Sequence, residues 1–158
     1  MKTNYLFPHK WKTVSGILFL LSFIGLVVVF SFDQGYFEIR SFVFAIIGQE
    51  KSLDYMFFKV IEESITDELL MLIAIPSGIT YAFSKEKHED EMVASIRLHS
   101  LVWSTIINYG IILFCYMFIY GMAFLDVMMV ALLLQLLIFI VLFRYRMYRF
   151  YNTRPDEE

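Results

Sequence analysis

Four stretches of the chain carry almost nothing but apolar side chains, and the polar residues collect between them. The first, residues 14–32 (VSGILFLLSFIGLVVVFSF), contains no ionisable group. The second, residues 68–83, is shorter and is interrupted by Pro76 and Gly78. The third and fourth, residues 98–120 and 125–143, are separated only by Gly121, Met122, Ala123 and Phe124. Apolar runs of roughly 20 residues, wound as α-helix at about 1.5 Å per residue, match a hydrocarbon core about 30 Å thick. The pattern predicts an all-α membrane protein, a four-transmembrane-helix up-down bundle. Pro76 removes a backbone hydrogen bond and predicts a kink that neighbouring helices compensate. Thr66 stands where an N-cap belongs, with Asp67 and Glu68 placed to complement the helix dipole. The short link makes spans three and four antiparallel neighbours.

Between the first two spans, residues 33–67 form the one sizeable segment outside the membrane. Its two halves, YFEIRSFVFAII and YMFFKVIEESI, are rich in aromatic and β-branched residues, and GQEKSLD between them reads as a turn. The partial alternation Phe37-Glu38-Ile39-Arg40 makes a small β-hairpin the first reading. An isolated hairpin is marginal in water, so it should pack on the bundle rim or the headgroups. One or two interfacial amphipathic helices fit the same short apolar runs. The connection 84–97, SKEKHEDEMVASIR, is dense in charge and reads as a solvated face. Met92, Ile96, His99 and Trp103 recur within it and beyond at helical spacing, so span three is expected to begin early, as a helix projecting out of the membrane.

Composition sharpens the class. Hydrophobic residues fill 59% of 158 positions and the mean hydropathy is +0.64, against roughly 45–50% apolar content in soluble domains. The length fits one membrane domain over residues 1–158. A net charge of −3, from 13 basic and 16 acidic residues, argues against nucleic acid as a partner, since a phosphate backbone demands a basic face. Placement matters more than the sum. With both termini in the cytoplasm, Lys2, Lys10, Lys12, Lys85, Lys87, Arg97, Arg144, Arg146, Arg149 and Arg154 lie inside, ten of the 13 basic residues. Only Arg40, Lys51 and Lys59 lie outside, and that asymmetry sets the orientation. Residues 33–67 are thereby extracytoplasmic and 84–97 cytoplasmic. Trp11, Trp103, Tyr145, Tyr148 and Tyr151 fall near the inner interface. The first run is too long for a signal-peptide core and lacks a small-x-small cleavage pattern after it, so it reads as an uncleaved span. Cys115, the sole cysteine, can form neither an intrachain disulfide nor a cysteine metal cluster and reads as a packing residue.

Candidate chemistry is sparse. Asn108 and Gln135 lie about 12–15 Å from the inner ends of their spans, and Ser22 and Ser77 reach comparable depths. With Ser104 they make an intramembrane polar layer: Ser22, Ser77, Ser104, Asn108 and Gln135. Ser100, Ser104 and Asn108 recur every four residues, one stripe on one helix face. A carboxamide in hydrocarbon needs a partner, so Asn108 and Gln135 are expected to face inward and bond each other or nearby hydroxyls. Helix adhesion is the first reading of this layer and a small binding cavity the second. No charge lies deep in a span, which argues against a proton relay or voltage sensor. His88, Glu91 and His99 are weak metal candidates, because an Asp/Glu/His set can hold a divalent ion. Yet no HExxH, nucleophile elbow or glycine-rich phosphate loop is present. No catalytic residue and no cofactor is assigned.

The stretches FPHKWKTVSGILF, ITDELL, AFSKEKHEDEMVASIRLHSLVWSTIINY and FIYGMAFLDVM resemble a group of small uncharacterised bacterial four-span integral membrane proteins. The resemblance implies the same layout in a bacterial inner (cytoplasmic) membrane and no assigned activity. The expected function is that of a non-enzymatic accessory or regulatory membrane protein, with the lipid bilayer and a membrane-protein partner or a second copy as its contacts. A small-molecule binder or transporter using the polar layer is the alternative, and a metal-dependent membrane enzyme comes third.

Overall fold

Each of the four apolar runs is helical in the computed structural model, which describes residues 6–31, 39–49, 55–87, 89–121 and 123–153. The helices are α1 (Lys10–Ser31), α2 (Thr66–Ala82), α3 (Glu91–Phe118) and α4 (Ala123–Thr153). Of these, α1, α3 and α4 are long and apolar enough to cross a membrane. Helix α2 has 17 residues, continues through Pro76 and carries Asp67 and Glu68 in its first turn. Helix α3 begins seven residues before the apolar run at 98, as the Met92/Ile96 spacing predicts. Asp90 caps it, accepting the Val93 N–H at 2.7 Å, which satisfies one of the otherwise orphaned first-turn donors. Gly121, at φ +75°, makes the turn into α4, a conformation that glycine adopts without steric cost.

Helix α4 outruns its apolar run by ten residues, from Arg144 to Thr153. Arg, Tyr and Met are acceptable helix residues, and no Gly or Pro intervenes before Pro155. Hydropathy marks where lipid contact ends, and the backbone goes on.

Between α1 and α2, strands β1 (Arg40–Gln49) and β2 (Tyr55–Ser64) pair antiparallel, from Arg40↔Ser64 to Gln49↔Tyr55. The hairpin reading of this segment holds over the interfacial helices. Of the residues expected to turn the chain, 48–54, the first two belong to β1 and 50–54 lie outside the described residues. Phe58 takes φ +53°, and the regular pairing lapses there, between Ala45↔Lys59 and Ile47↔Phe57. A bulky side chain in the left-handed region stores local strain. At the base of the strands the Ile65 N–H donates to the Ile39 carbonyl at 3.0 Å. Thr66, expected as an N-cap, lies within α2, and its hydroxyl accepts the Ile39 N–H at 2.9 Å.

The chain divides into two compact units, Met1–Ile17 with Ile75–Glu158, and Leu18–Ala74. In the first, Ala82, Val93, Phe139, Phe143 and Met147 form the core, with Phe83 stacked on Phe139 at 5.4 Å between ring centroids. The stretch before α1 is stitched to the stretch after α2: the Phe7 N–H donates to the Phe83 carbonyl, and the Lys85 N–H to that of Phe7. In the second unit, Phe19, Leu26 and Ala74 are buried. A Cβ at Gly25 would stand 3.1 Å from a Leu70 methyl, so the glycine permits close approach there.

Candidate functional site

The buried face of α3 is its polar one: Val93, Arg97, Ser100, Ser104 and Asn108 are buried, whereas Met92, His99 and Trp103 of the predicted stripe are exposed. This is the arrangement expected of a helix whose outer surface meets lipid and whose hydrogen-bonding groups must find partners within the protein. Ser100 donates to the Ile96 carbonyl at 2.8 Å, and Ser104 and Thr105 both donate to that of Leu101. Their hydroxyl hydrogens are thus spent on their own helix, and their lone pairs remain to accept. Gln135 of α4 uses them, its Nε2 donating to Thr105 Oγ1 at 3.0 Å and more distantly to Ser104 Oγ at 3.4 Å.

Gln135 therefore reaches hydroxyls across the α3–α4 contact. The carbonyl oxygens of Asn108 and Gln135 are both buried and accept no hydrogen bond among the described residues. Ser77 is buried as well. Ser22, in the other unit, is buried and turns its hydroxyl to the Leu18 and Phe19 carbonyls of its own helix.

One turn before Ser100, the same face of α3 brings Arg97 into the interior. Arg97 is 3% exposed and grips Glu89 with both terminal nitrogens, at 2.6 and 3.0 Å. It also reaches the Ser84 carbonyl at 3.4 Å and lies 5.2 Å from the Phe143 ring centroid. Glu89 in turn accepts the Glu86 N–H at 2.9 Å. Lys12, 6% exposed, is ion-paired with Glu86. Burial pushes the Glu89 carboxyl up, but the Arg97 hydrogen bonds, the Glu86 amide and the nearby Arg97 and Lys12 charges together outweigh it. The carboxyl is held below the usual carboxylate range.

The connection 84–97, read as a solvated face, thus hides Arg97 and half-buries Glu86 and Glu89. Buried ions occur where partners are at hand, and here α1 and α3 supply them. A signal was present in the sequence: Arg97 continues the 100/104/108 stripe one turn earlier, so the face carrying Asn108 inward must carry Arg97 inward too.

Beside this cluster, Tyr81 of α2 lies against α1, where a Cβ at Gly16 would come within 2.8 Å of the ring. Arg144 donates to the Tyr81 hydroxyl through Nε at 3.1 Å and Nη2 at 2.7 Å, with its guanidinium carbon 5.4 Å from the ring centroid. Lys12 approaches the same ring at 6.0 Å.

The weak metal candidates are not brought together. His88 lies outside the described residues, and Glu91 and His99 are exposed, the latter donating from Nδ1 to the Ser95 carbonyl at 2.9 Å. Among the described residues no three His, Cys, Asp or Glu side chains are placed to hold a metal ion. His9 donates from Nδ1 to the Lys85 carbonyl at 2.8 Å. A groove of about 430 Å³ opens at the α3–α4 turn, lined by Tyr116, Met117, Ile119, Tyr120, Gly121 and Phe124; its walls carry no carboxylate, amine or imidazole.

The hairpin presents the opposite picture. Arg40, Phe42, Phe44, Ile46, Phe58, Val60 and Glu62 share one face by the strand register, and all five apolar members of that set are exposed, Phe42 at 76%. Phe44 and Phe58 pack on each other at 6.3 Å. No family model, no curated protein and no solved structure matches this chain.

Proposed function

We propose that the chain is a non-enzymatic accessory or regulatory protein of a bacterial inner membrane, acting through protein contacts made by its β-hairpin. In this reading α2 is a fourth span, short but with its carboxylates at one end. Both termini lie in the cytoplasm, because ten of 13 basic residues then lie inside. The observation that carries the docking role is the exposed aromatic face Phe42, Phe44, Ile46, Phe58 and Val60. Contiguous apolar patches of that kind mark interaction surfaces, and a two-stranded sheet has two open edges that invite further pairing. Acidic Glu62 and Glu63 at the base of the strands favour a partner with a basic rim around an apolar centre. A photoreactive side chain placed at Phe42 in native membranes is expected to crosslink a membrane protein or a second copy of this chain. Adducts to lipid alone would refute the docking role.

A second reading, a small-molecule binder within the helices, is favoured by one observation: two buried carboxamide oxygens, of Asn108 and Gln135, lacking a donor among the described residues. An acceptor-only site of that kind suits a ligand carrying N–H or O–H groups. Reaction of an Asn108→Cys thiol with a water-soluble maleimide would support this reading, and complete protection would remove it.

A further inference from the structure

The apolar run of α4 ends at Phe143, and beyond it the helix presents a face of arginine and tyrosine. Arg144, Tyr145, Tyr148 and Arg149 are exposed, with Tyr145 and Tyr148 more than 60% so. Phe143 and Met147 turn the other way into the core. After Asp126, helix α4 carries no acidic residue. Arg144 is the first cation past the apolar run and therefore stands where headgroups begin. The other cations beside it, Lys12 and Arg97, are committed to Glu86 and Glu89.

Arg144 is also held in place. Tyr81 accepts from its Nε and Nη2, and Gly16 gives the Tyr81 ring its seat. A guanidinium has five N–H donors in a fixed planar fork. With one from Nε and one from Nη2 directed at Tyr81, three N–H donors of this exposed side chain are not used by that contact. A guanidinium pinned through one edge loses little freedom when the other takes an oxyanion, and planar two-point recognition of phosphate is what arginine does best. The flanking tyrosines have the amphipathic rings favoured at the level of headgroups.

We infer that Arg144, oriented by Tyr81, is a binding site for the phosphodiester headgroup of an anionic phospholipid. The occupant is a lipid rather than free phosphate because the site adjoins the end of an apolar helix run, where acyl chains can bury beside the exposed Val141 and the partly exposed Leu137 and Ile138. It is an anionic lipid rather than a zwitterionic one because Arg146 and Arg149 on the same helix repel a choline or ethanolamine group.

The test uses the full chain purified in mild detergent, titrated with short-chain phosphatidylglycerol or phosphatidylcholine of equal acyl length and read by native mass spectrometry. The wild type should bind phosphatidylglycerol about tenfold tighter than phosphatidylcholine, and Arg144→Gln should abolish most of that preference. Tyr81→Phe keeps the charge and the ring but removes the acceptor that orients the guanidinium, so it should weaken phosphatidylglycerol severalfold. Full affinity in Arg144→Gln would overturn the site, and full affinity in Tyr81→Phe would overturn the positioning. Displacement of the lipid by an equal concentration of inorganic phosphate would overturn the lipid as occupant. Both variants should keep the thermal midpoint of the wild type, which separates a lost contact to lipid from a lost fold.

Discussion

The connection 84–97 and the paired strands 40–49 and 55–64 lie between the apolar helices, and among their described residues they invert the ordinary rule of polar outside and apolar inside. The connection, with seven ionisable side chains in its first eight residues, draws Arg97 out of water and holds Glu86 and Glu89 half-buried against Lys12 and Arg97. The hairpin, rich in phenylalanine, leaves Phe42, Phe44, Phe57 and Phe58 more than 60% exposed. Burial follows the availability of a partner in both. Charges are covered where opposite charges converge on them, and the apolar face of the strands remains open because nothing among the described residues covers it. The first is a closed structural site, and the second is an exposed apolar surface.

The comparison breaks most readily at Arg97. Arg97→Ala leaves Glu89 with its burial and without its cation, and should cost about 3–5 kcal/mol, read as a large drop in thermal midpoint in detergent. The double variant Arg97→Ala with Glu89→Ala should recover part of the loss; no recovery would mean that the two residues are not coupled. The neighbouring part of the same face is tightly packed: Ser104 is fully buried, so Ser104→Leu should overpack the α3–α4 contact by about 1–3 kcal/mol.

Acid should act on the connection more gently. Because the Glu89 carboxyl is held below its ordinary value, the unfolded chain binds the proton first as pH falls. The stability it contributes is complete above the unfolded carboxylate pKa of about 4.3 and is lost as pH falls through the depressed folded value. Glu89→Gln should flatten this acid limb of the midpoint-versus-pH curve, and an unchanged limb would assign it to other groups. Gln135→Leu should cost only about 1 kcal/mol or less, because the Ser104 and Thr105 hydroxyls keep their own-helix acceptors and an unsatisfied buried oxygen disappears with the amide. Smallest of all, Phe42→Ser with Phe44→Ser should move stability by no more than about 0.5 kcal/mol while removing the crosslinks formed from the hairpin. A large destabilisation would mean that this face is packed rather than open.

Much of the fold was readable from pattern alone. Long apolar runs predict the helices α1, α3 and α4, and the aromatic and β-branched content of residues 36–47 and 55–65 favours strands, while short apolar runs of that kind fit interfacial helices too and the pairing decides between them. Helix ends were harder, because Arg144 to Thr153 are compatible with a helix in water and in headgroups alike. The polar stripe at Ser100, Ser104 and Asn108 was legible because its spacing is helical. The charge cluster was not, because Lys12 is far in sequence from Glu86, Glu89 and Arg97, and only the fold shows that α1 delivers Lys12 to Glu86. Tyr81 and Arg144, 63 residues apart, left no local signal for the same reason.

The central claim is that α2 is a fourth crossing, so that the strands before it and the charged connection after it meet different aqueous phases. It is tested most directly with single thiols in a Cys115→Ser background, one at Phe42 and one at Lys87, probed with an impermeant maleimide on intact cells and on inverted membrane vesicles. The account predicts labelling of Phe42→Cys only in cells and of Lys87→Cys only in inverted vesicles. Labelling of both from the same side would contradict it.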